Sequence, residues 1–189
     1  MSSEDPTDFF RPERFGKYTL LKPIGEGGMA IVFLARETDA PPPSPPVVIK
    51  RLHDRLQQDR EAVDLFLTEA DVTMMLAHPN VIRVFDAGEI DGRYFLCMEY
   101  VPGKDLEQIW CRLRSKDLAF SVDAAIQIII DVLAGLDHVH NARTPSGRFL
   151  GIVHRDVTPS NIYVSSSGAI KLGDFGVAKL VGFEGWTIA

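Results

Sequence analysis

Two short segments late in the chain concentrate side chains that could hold a metal-bound triphosphate. The first is His154-Arg155-Asp156-Val157-Thr158-Pro159-Ser160-Asn161, and the second is Asp174-Phe175-Gly176. Together they offer two carboxylates and an amide on predicted short strands and loops. Magnesium prefers oxygen ligands and commonly binds through one or two carboxylates together with substrate phosphates. The composition of these segments therefore indicates a magnesium and nucleotide site.

A glycine-rich segment earlier in the chain could cover the phosphates. It reads Ile24-Gly25-Glu26-Gly27-Gly28-Met29-Ala30-Ile31-Val32, and glycine lets backbone amides approach phosphate oxygens without a Cβ in the way. A dinucleotide-binding fold would need a helix directly after the glycines, and a P-loop would need Gly-Lys-Ser/Thr. The sequence predicts a strand there and has no such lysine, so neither motif fits.

A lysine and a glutamate between these segments could form a pair. Lys50 ends the predicted strand Val47-Val48-Ile49-Lys50, where a lysine could equally lie on the surface. Glu69 lies on the apolar face of a helix predicted over residues 61–77. A carboxylate on the inward face of a helix needs a cation, so Glu69 could hold Lys50 over the phosphates.

The elements that must position these residues change character along the chain. Apolar and β-branched runs predict strands in the first half, whereas the second half predicts two helices followed by short strands. The stripe of Val122, Ile126, Ile129, Leu133, Leu136 and His140 predicts the buried face of the second helix. The predicted strands cover residues 18–21, 30–36, 47–50, 81–85, 94–100, 151–153, 161–164 and 169–172.

Composition excludes several classes of protein. The chain has 189 residues, 46% hydrophobic and 24% charged, which is typical of one globular domain or two small lobes. A net charge of −6 argues against a nucleic-acid partner. No apolar run is long enough for a membrane span, and the first residues lack the features of a secretory signal, which predicts a cytoplasmic protein. Two cysteines are too few for a disulfide framework.

These motifs, in this order, resemble those of the eukaryotic-like protein serine/threonine kinases, in particular the bacterial members. The resemblance runs from about Tyr18 to Lys179 and includes His78-Pro79-Asn80 and Met98-Glu99-Tyr100-Val101. It implies an α+β fold with two lobes, the first rich in strands with one regulatory helix and the second helical and incomplete. The implied boundaries are a disordered leader over residues 1–14, an N-lobe over 15–98, a hinge over 99–103 and a partial C-lobe over 104–189.

The resemblance also implies roles for individual residues, with ATP and Mg²⁺ as cofactors. Lys50 contacts the α- and β-phosphates and pairs with Glu69, and Asp156 orients the substrate hydroxyl and accepts its proton. Asn161 and Asp174 hold the metal. The remaining ATP-binding positions are the glycine-rich segment from Ile24 to Val32, the gatekeeper Met98, the hinge residues Glu99 and Val101, and Asp105 at the ribose. The implied partners are protein substrates.

Three departures from the family pattern qualify this assignment. Ala30 replaces the third glycine of the loop, and Thr158 replaces a lysine that contacts the γ-phosphate, which predicts slower transfer. No Ala-Pro-Glu motif follows Gly176, so we expect most of the activation segment and the later C-lobe to be missing from this chain. Pro159 favours the serine/threonine over the tyrosine pattern. The alternative hypothesis is a non-catalytic module that binds a nucleotide or a partner.

Overall fold

A computed structural model describes residues 10–41, 43–144 and 146–175. The chain forms two compact units, Met1–Ala70 with Val84–Tyr100 and Asp71–Arg83 with Val101–Ala189. This division differs from the predicted continuous N-lobe over residues 15–98, because residues 71–83 belong to the second unit. Helix α1 (Arg60–Met74) accordingly contributes residues to both units.

The first unit is built on a six-stranded antiparallel sheet. Its strands are β1 (Glu13–Phe15), β2 (Tyr18–Glu26), β3 (Ala30–Glu37), β4 (Val47–Leu52), β5 (Val84–Ile90) and β6 (Arg93–Glu99). Their order in the sheet is β1-β2-β3-β4-β6-β5. Tight turns join β1 to β2, β2 to β3 and β5 to β6. The turn at Asp91-Gly92 has positive φ at both positions, as a two-residue hairpin requires.

Alternating side chains bury both faces of this sheet. Phe95 and Cys97 lie in one cluster, whereas Leu96 between them lies in a second cluster with Phe66 of helix α1. Such alternation is the side-chain pattern of a strand that is covered on both faces.

The predicted leader is shorter than the sequence suggested. Strand β1 begins at Glu13, and the ring of Phe10 packs against that of Phe33 with a centroid distance of 5.7 Å. Folded structure therefore starts before residue 15, because the apolar side chain of Phe10, within the polar leader, packs against the sheet. Residues 1–9 of the predicted leader lie outside the described residues.

The second unit combines two helices with a small sheet. Ser121 caps the longer helix, since its Oγ accepts a hydrogen bond from the amide of Ala124 at 3.1 Å. The two main clusters of buried side chains include Leu76, Val139 and Phe175 in one and Val132, Ile162 and Leu172 in the other. The elements are β7 (Gly103–Asp105), α2 (Leu106–Arg114), α3 (Val122–His140), β8 (Ile162–Ser165) and β9 (Ile170–Leu172).

Two predicted strands differ from the structure. Residues 151–153 form no strand. Ile152 is buried in the core of the second unit, and this burial explains its apolar side chain without any pairing in a sheet. The strand predicted over residues 81–85 begins only at Val84 and continues to Ile90. Val81 instead forms an isolated bridge with Leu172, and the amide of Ile82 donates to the carbonyl of Leu172 at 2.8 Å.

Helix α3 confirms the predicted helix but buries a different face. The buried positions are Val132, Gly135 and Val139. The predicted stripe was wrong because the helix is apolar on two faces, which leaves its hydrophobic period ambiguous. Large exposed side chains form a row on the other face, at Val122, Ile126, Ile129, Ile130 and Leu133. Within the described ranges, no helix is both long and apolar enough to cross a membrane.

Candidate active site

The structure joins Lys50 and Glu69 in the first unit. The Nζ atom of Lys50 lies 2.7 Å from Oε1 of Glu69, and the two side chains are only 16% and 12% exposed. Strand β4 places Lys50 opposite Val32 of β3, while Glu69 lies on α1 directly before the buried Ala70. Both members of the pair that the sequence predicted are therefore in contact.

The glycine-rich segment forms the end of strand β2, a tight turn and the start of strand β3. Gly25 pairs with Val32 across the two strands, and Ile24 is nearly half exposed. A Cβ added to Gly28 would meet no atom within 4 Å, so the backbone at the turn is open to a ligand. Two further residues contact this turn, His53 and Arg55, and the sequence did not indicate them because neither belongs to a motif.

The predicted adenine- and ribose-binding residues lie in both units. Met98 and Glu99 end strand β6 in the first unit, and Met98 packs against the cluster beneath helix α1. Val101 and Asp105 belong to the second unit. Asp105 is also the N-cap of helix α2, since its Oδ1 accepts a hydrogen bond from the amide of Gln108 at 2.7 Å. This capping role of Asp105 was not predicted from the sequence.

Asn161 closes the loop that carries Asp156. Its Nδ2 atom donates to the backbone carbonyl of Asp156 at 2.9 Å and to Oδ2 of the same residue at 2.8 Å. The amide of Asn161 also donates to the carbonyl of Thr158 at 3.0 Å. Asn161 is buried, whereas Asp156 is exposed. The loop thus presents the Asp156 carboxylate to solvent in an orientation that a buried amide fixes.

His154 and Phe175 are core residues of the second unit, and their rings pack with a centroid distance of 4.5 Å. Both side chains are almost completely buried. The sequence missed that His154 links two functional segments. Its Nδ1 accepts from the amide of Asp156 at 3.3 Å, and its Nε2 lies 3.1 Å from the carbonyl of Gly173. These contacts need a neutral ring with the proton on Nε2. Burial lowers the pKa of His154, which also favours the neutral ring.

Asp174 adopts a left-handed backbone conformation, with φ at 49°. Its Oδ2 accepts a hydrogen bond from the hydroxyl of Tyr163 at 3.3 Å, which the sequence analysis did not foresee. Burial, together with the negative charge of Asp174, raises the pKa of Tyr163, so the phenol stays protonated and donates. A Cβ on Gly173 would come within 2.5 Å of the Ile82 side chain and 3.2 Å of the Tyr163 ring, so glycine fits between the two side chains. Gly176 lies outside the described residues.

Asn161 and Asp174 offer a donor set that suits a hard divalent cation. Both amide nitrogen contacts of Asn161 go to Asp156, so the amide oxygen is the atom it can offer to a metal. Asp174 adds a carboxylate. Among the described residues, no group of three or more His, Cys, Asp or Glu side chains could hold a metal alone. The pair fits a cation that completes its coordination with phosphate oxygens.

The protein kinase domain model matches residues 18–185 of this sequence. The chain belongs to the protein kinase family. It is 36% identical over 87% of its length to the tyrosine-protein kinase MasK of Myxococcus xanthus. It is also 36% identical over 86% of its length to the probable serine/threonine-protein kinase PknB of Lactococcus lactis. Members of this family use ATP and a divalent metal ion.

Solved structures give the same result for the fold. The PknI kinase domain of Mycobacterium tuberculosis aligns with a TM-score of 0.68 and 30% sequence identity, over 89% of this kinase chain and 63% of the PknI chain. This similarity confirms the kinase-like fold that the motifs predicted. The chain spans only about a quarter of the length of the two relatives, 26% of MasK and 24% of PknB.

Proposed function

We propose that this chain supplies the ATP-binding and catalytic-loop residues of a protein serine/threonine kinase. The observation that carries the proposal is the ion pair between Lys50 and Glu69, whose atoms lie 2.7 Å apart. In protein kinases this pair must be in place for phosphoryl transfer. Besides this pair, the sequence keeps Asp156, Asn161 and Asp174, and a remnant without transfer would need none of the three for chemistry.

In the first unit, Lys50 would neutralise negative charge on the α- and β-phosphates while Glu69 holds its ammonium in place. The glycine-rich turn would add backbone amides, which bind phosphate oxygens as hydrogen-bond donors. Ile24 and Val32 would pack against the adenine, and Met98 and Glu99 would border it. Val101 and Asp105 are further proposed nucleotide contacts, from their positions in the order of the family motifs.

In the second unit, Asp156 would accept the proton of the substrate hydroxyl. That oxygen then forms a bond to the γ-phosphorus, the bond to the bridging oxygen breaks, and ADP leaves. Asn161 fixes the carboxylate of Asp156 through its Nδ2 atom. We propose Asn161 and Asp174 as ligands of Mg²⁺, which when bound neutralises charge on the transferred group. Positioning and neutralisation are most of what this reaction demands of a protein.

Two features bear on the substrate. Pro159 follows the serine/threonine pattern, and the relatives include both a serine/threonine and a tyrosine kinase by name. We propose serine and threonine hydroxyls of proteins as acceptors. Thr158 offers a hydroxyl rather than a cation to the γ-phosphate, so we expect slow transfer. We further propose that the protein works in the cytoplasm, where ATP is available.

A thermal melt of the 189-residue chain with ATP, with Mg²⁺ and with both tests nucleotide binding. Ligand at about 100 times its dissociation constant should add about 2.7 kcal/mol to the free energy of unfolding. We expect the melting temperature to rise most when Mg²⁺ accompanies ATP. A melting temperature indifferent to ATP would contradict the proposal.

Transfer is tested with the substitution Asp156→Asn. We expect this variant to lose phosphoryl transfer to a protein substrate while its affinity for Mg-ATP stays close to that of the wild type, because Asp156 acts on the hydroxyl and not on the nucleotide. If transfer and nucleotide affinity fell together, Asp156 would not be the base. ATP binding without transfer in the wild-type chain would favour the non-catalytic alternative.

A further inference from the structure

The tip of the glycine-rich loop, residues 27–29, is fastened by the turn that follows strand β4. Its three consecutive carbonyls each have a partner there. The Nε2 atom of His53 lies 2.8 Å from the Gly27 carbonyl, and Nη2 of Arg55 donates to the Gly28 carbonyl at 2.6 Å. The backbone amide of His53 donates to the Met29 carbonyl at 2.9 Å. Because a carbonyl can only accept, the His53 ring is the donor in its contact.

Apolar packing supports these polar contacts. The side chains of Met29 in the loop tip and Leu56 in the turn both pack against the cluster that lies between the sheet and helix α1. Ala30 and Leu52, which flank the two segments, are directly paired across strands β3 and β4. The amide of Gly27 donates to the carbonyl of Ala30 at 2.9 Å, which closes the hairpin. The loop tip is thus attached along its whole length.

This attachment fixes the direction of the loop amides. The carbonyl of Gly27 shares a peptide plane with the amide of Gly28, and the carbonyl of Gly28 shares one with the amide of Met29. In a planar trans peptide the carbonyl and the amide point in opposite directions. The amides of Gly28 and Met29 therefore point away from His53 and Arg55. Successive amides directed to one side form a site for an anion such as a phosphate.

We propose that His53 and Arg55 are positioning residues that orient the loop-tip amides toward the phosphates of ATP. This inference rests on the proposed function, and it adds two residues that no kinase motif of this chain contains. Neither side chain needs to touch the nucleotide, since each acts on the opposite end of a peptide plane. Pre-oriented amides bind without the reorganisation that a mobile glycine turn would undergo.

The test compares ligands with and without phosphates on the full chain. We expect His53→Ala and Arg55→Ala each to raise the dissociation constant for Mg-ATP about three- to tenfold, the range that one net hydrogen bond supplies. The dissociation constant for adenosine should not change. His53→Gln should retain near wild-type affinity, because its amide nitrogen can donate from the position of Nε2. Arg14→Ala removes an exposed cation of the same unit that pairs with Asp39 at 3.7 Å, and serves as the charge control.

A second readout separates positioning from direct contact with phosphate. In the nucleotide-free chain, His53→Ala and Arg55→Ala should shift the amide resonances of Gly28 and Met29, whereas a residue that only contacted phosphate would leave them unchanged. The inference would be overturned if these variants left the amide resonances or the ATP affinity unchanged. It would also be overturned if they weakened adenosine binding as much as ATP binding. Lys50→Met tests the proposed function separately. If it weakens Mg-ATP binding and the loop variants do not, the inference alone fails, whereas absent ATP binding in the wild type overturns both.

Discussion

The hydroxyl of Tyr163 donates a hydrogen bond to Oδ2 of Asp174 at a distance of 3.3 Å. Asp174 is one of the two residues that we propose as ligands of Mg²⁺, so Tyr163 is its outer-shell partner. Partners of this kind orient a ligand and tune its affinity for the metal. The tyrosine ring reaches this position beside Gly173, where a larger residue would crowd it.

We expect Tyr163→Phe to raise the Mg²⁺ concentration that half-saturates the ATP-dependent rise in melting temperature. The increase should be about threefold to tenfold, at or below the lower limit of the roughly 10- to 100-fold that such a partner of a metal ligand usually supplies, because 3.3 Å is long for a hydroxyl hydrogen bond. Tyr18→Phe is the matched control, since the Tyr18 hydroxyl donates to the carboxylate of Asp86 at 2.8 Å in the first unit. An equal change in Mg²⁺ dependence in both variants would contradict this assignment.

The ion pair between Lys50 and Glu69 should stabilise the first unit as well as serve the nucleotide. Its side chains are largely buried, so the substitution Glu69→Gln leaves an ammonium in a site that water reaches poorly. We expect the free energy of unfolding in urea to fall by about 1–3 kcal/mol. Asp39→Asn breaks the exposed pair between Arg14 and Asp39 and should change stability little. If both variants lost the same free energy of unfolding, burial would not be what makes the Lys50–Glu69 pair stabilising.

The sequence predicted the contact between Lys50 and Glu69 but not the one between Asn161 and Asp156. All four residues were singled out because the proposed chemistry needs fixed residue types in a fixed order. His53 and Arg55 were missed because their partners are backbone carbonyls, which leave no signature in the sequence. Helix α3 was predicted, but its buried face was not, because isoleucine, leucine and valine occur on two of its faces. The Ile152 segment reads as a strand for the same reason, since burial and sheet pairing select the same residues.

Two glycines should differ in how much stability they lose on substitution by alanine. At Gly28 an added Cβ meets no protein atom within 4 Å, so Gly28→Ala should leave the free energy of unfolding nearly unchanged. The same methyl group would stand where a phosphate approaches, and we expect weaker binding of Mg-ATP with unchanged binding of adenosine. Unaltered ATP affinity would show that no phosphate comes close to Gly28.

Gly135 lies in helix α3, where alanine usually stabilises by up to about 1 kcal/mol. Here a Cβ would lie 2.9 Å from the backbone carbonyl oxygen of Asn80, which cannot rotate away as a side chain can. Overpacking of this kind costs about 1–3 kcal/mol and outweighs the gain in helix propensity. We expect Gly135→Ala to lower the midpoint of urea unfolding. A higher midpoint would show that the backbone at Asn80 shifts enough to accommodate the added methyl group.

His78 should make the second unit less stable in mild acid. Its ring stacks on that of His138 with a centroid distance of 5.0 Å, and its Nδ1 accepts a hydrogen bond from the amide of Asn80 at 3.1 Å. Burial lowers the pKa of His78, and the charges of His138 and Lys171 lower it further, against an opposite effect of Asp137. Protonation of the ring is therefore less favourable in the folded state, where the neutral ring accepts the hydrogen bond from Asn80.

The sign of the effect follows from linkage. Above the unfolded value of 6.5 the ring is neutral in both states and contributes no pH dependence. As pH falls through 6.5, His78 binds a proton in the unfolded chain but not in the folded chain. The free energy of unfolding therefore decreases until the pH reaches the lowered pKa of the folded state. We expect His78→Asn, whose side-chain oxygen can still accept from the Asn80 amide, to flatten the decline in urea-unfolding free energy between pH 7 and 5. His140→Asn, at an exposed position, should keep the wild-type slope, and an identical slope in all three proteins would refute the role of His78.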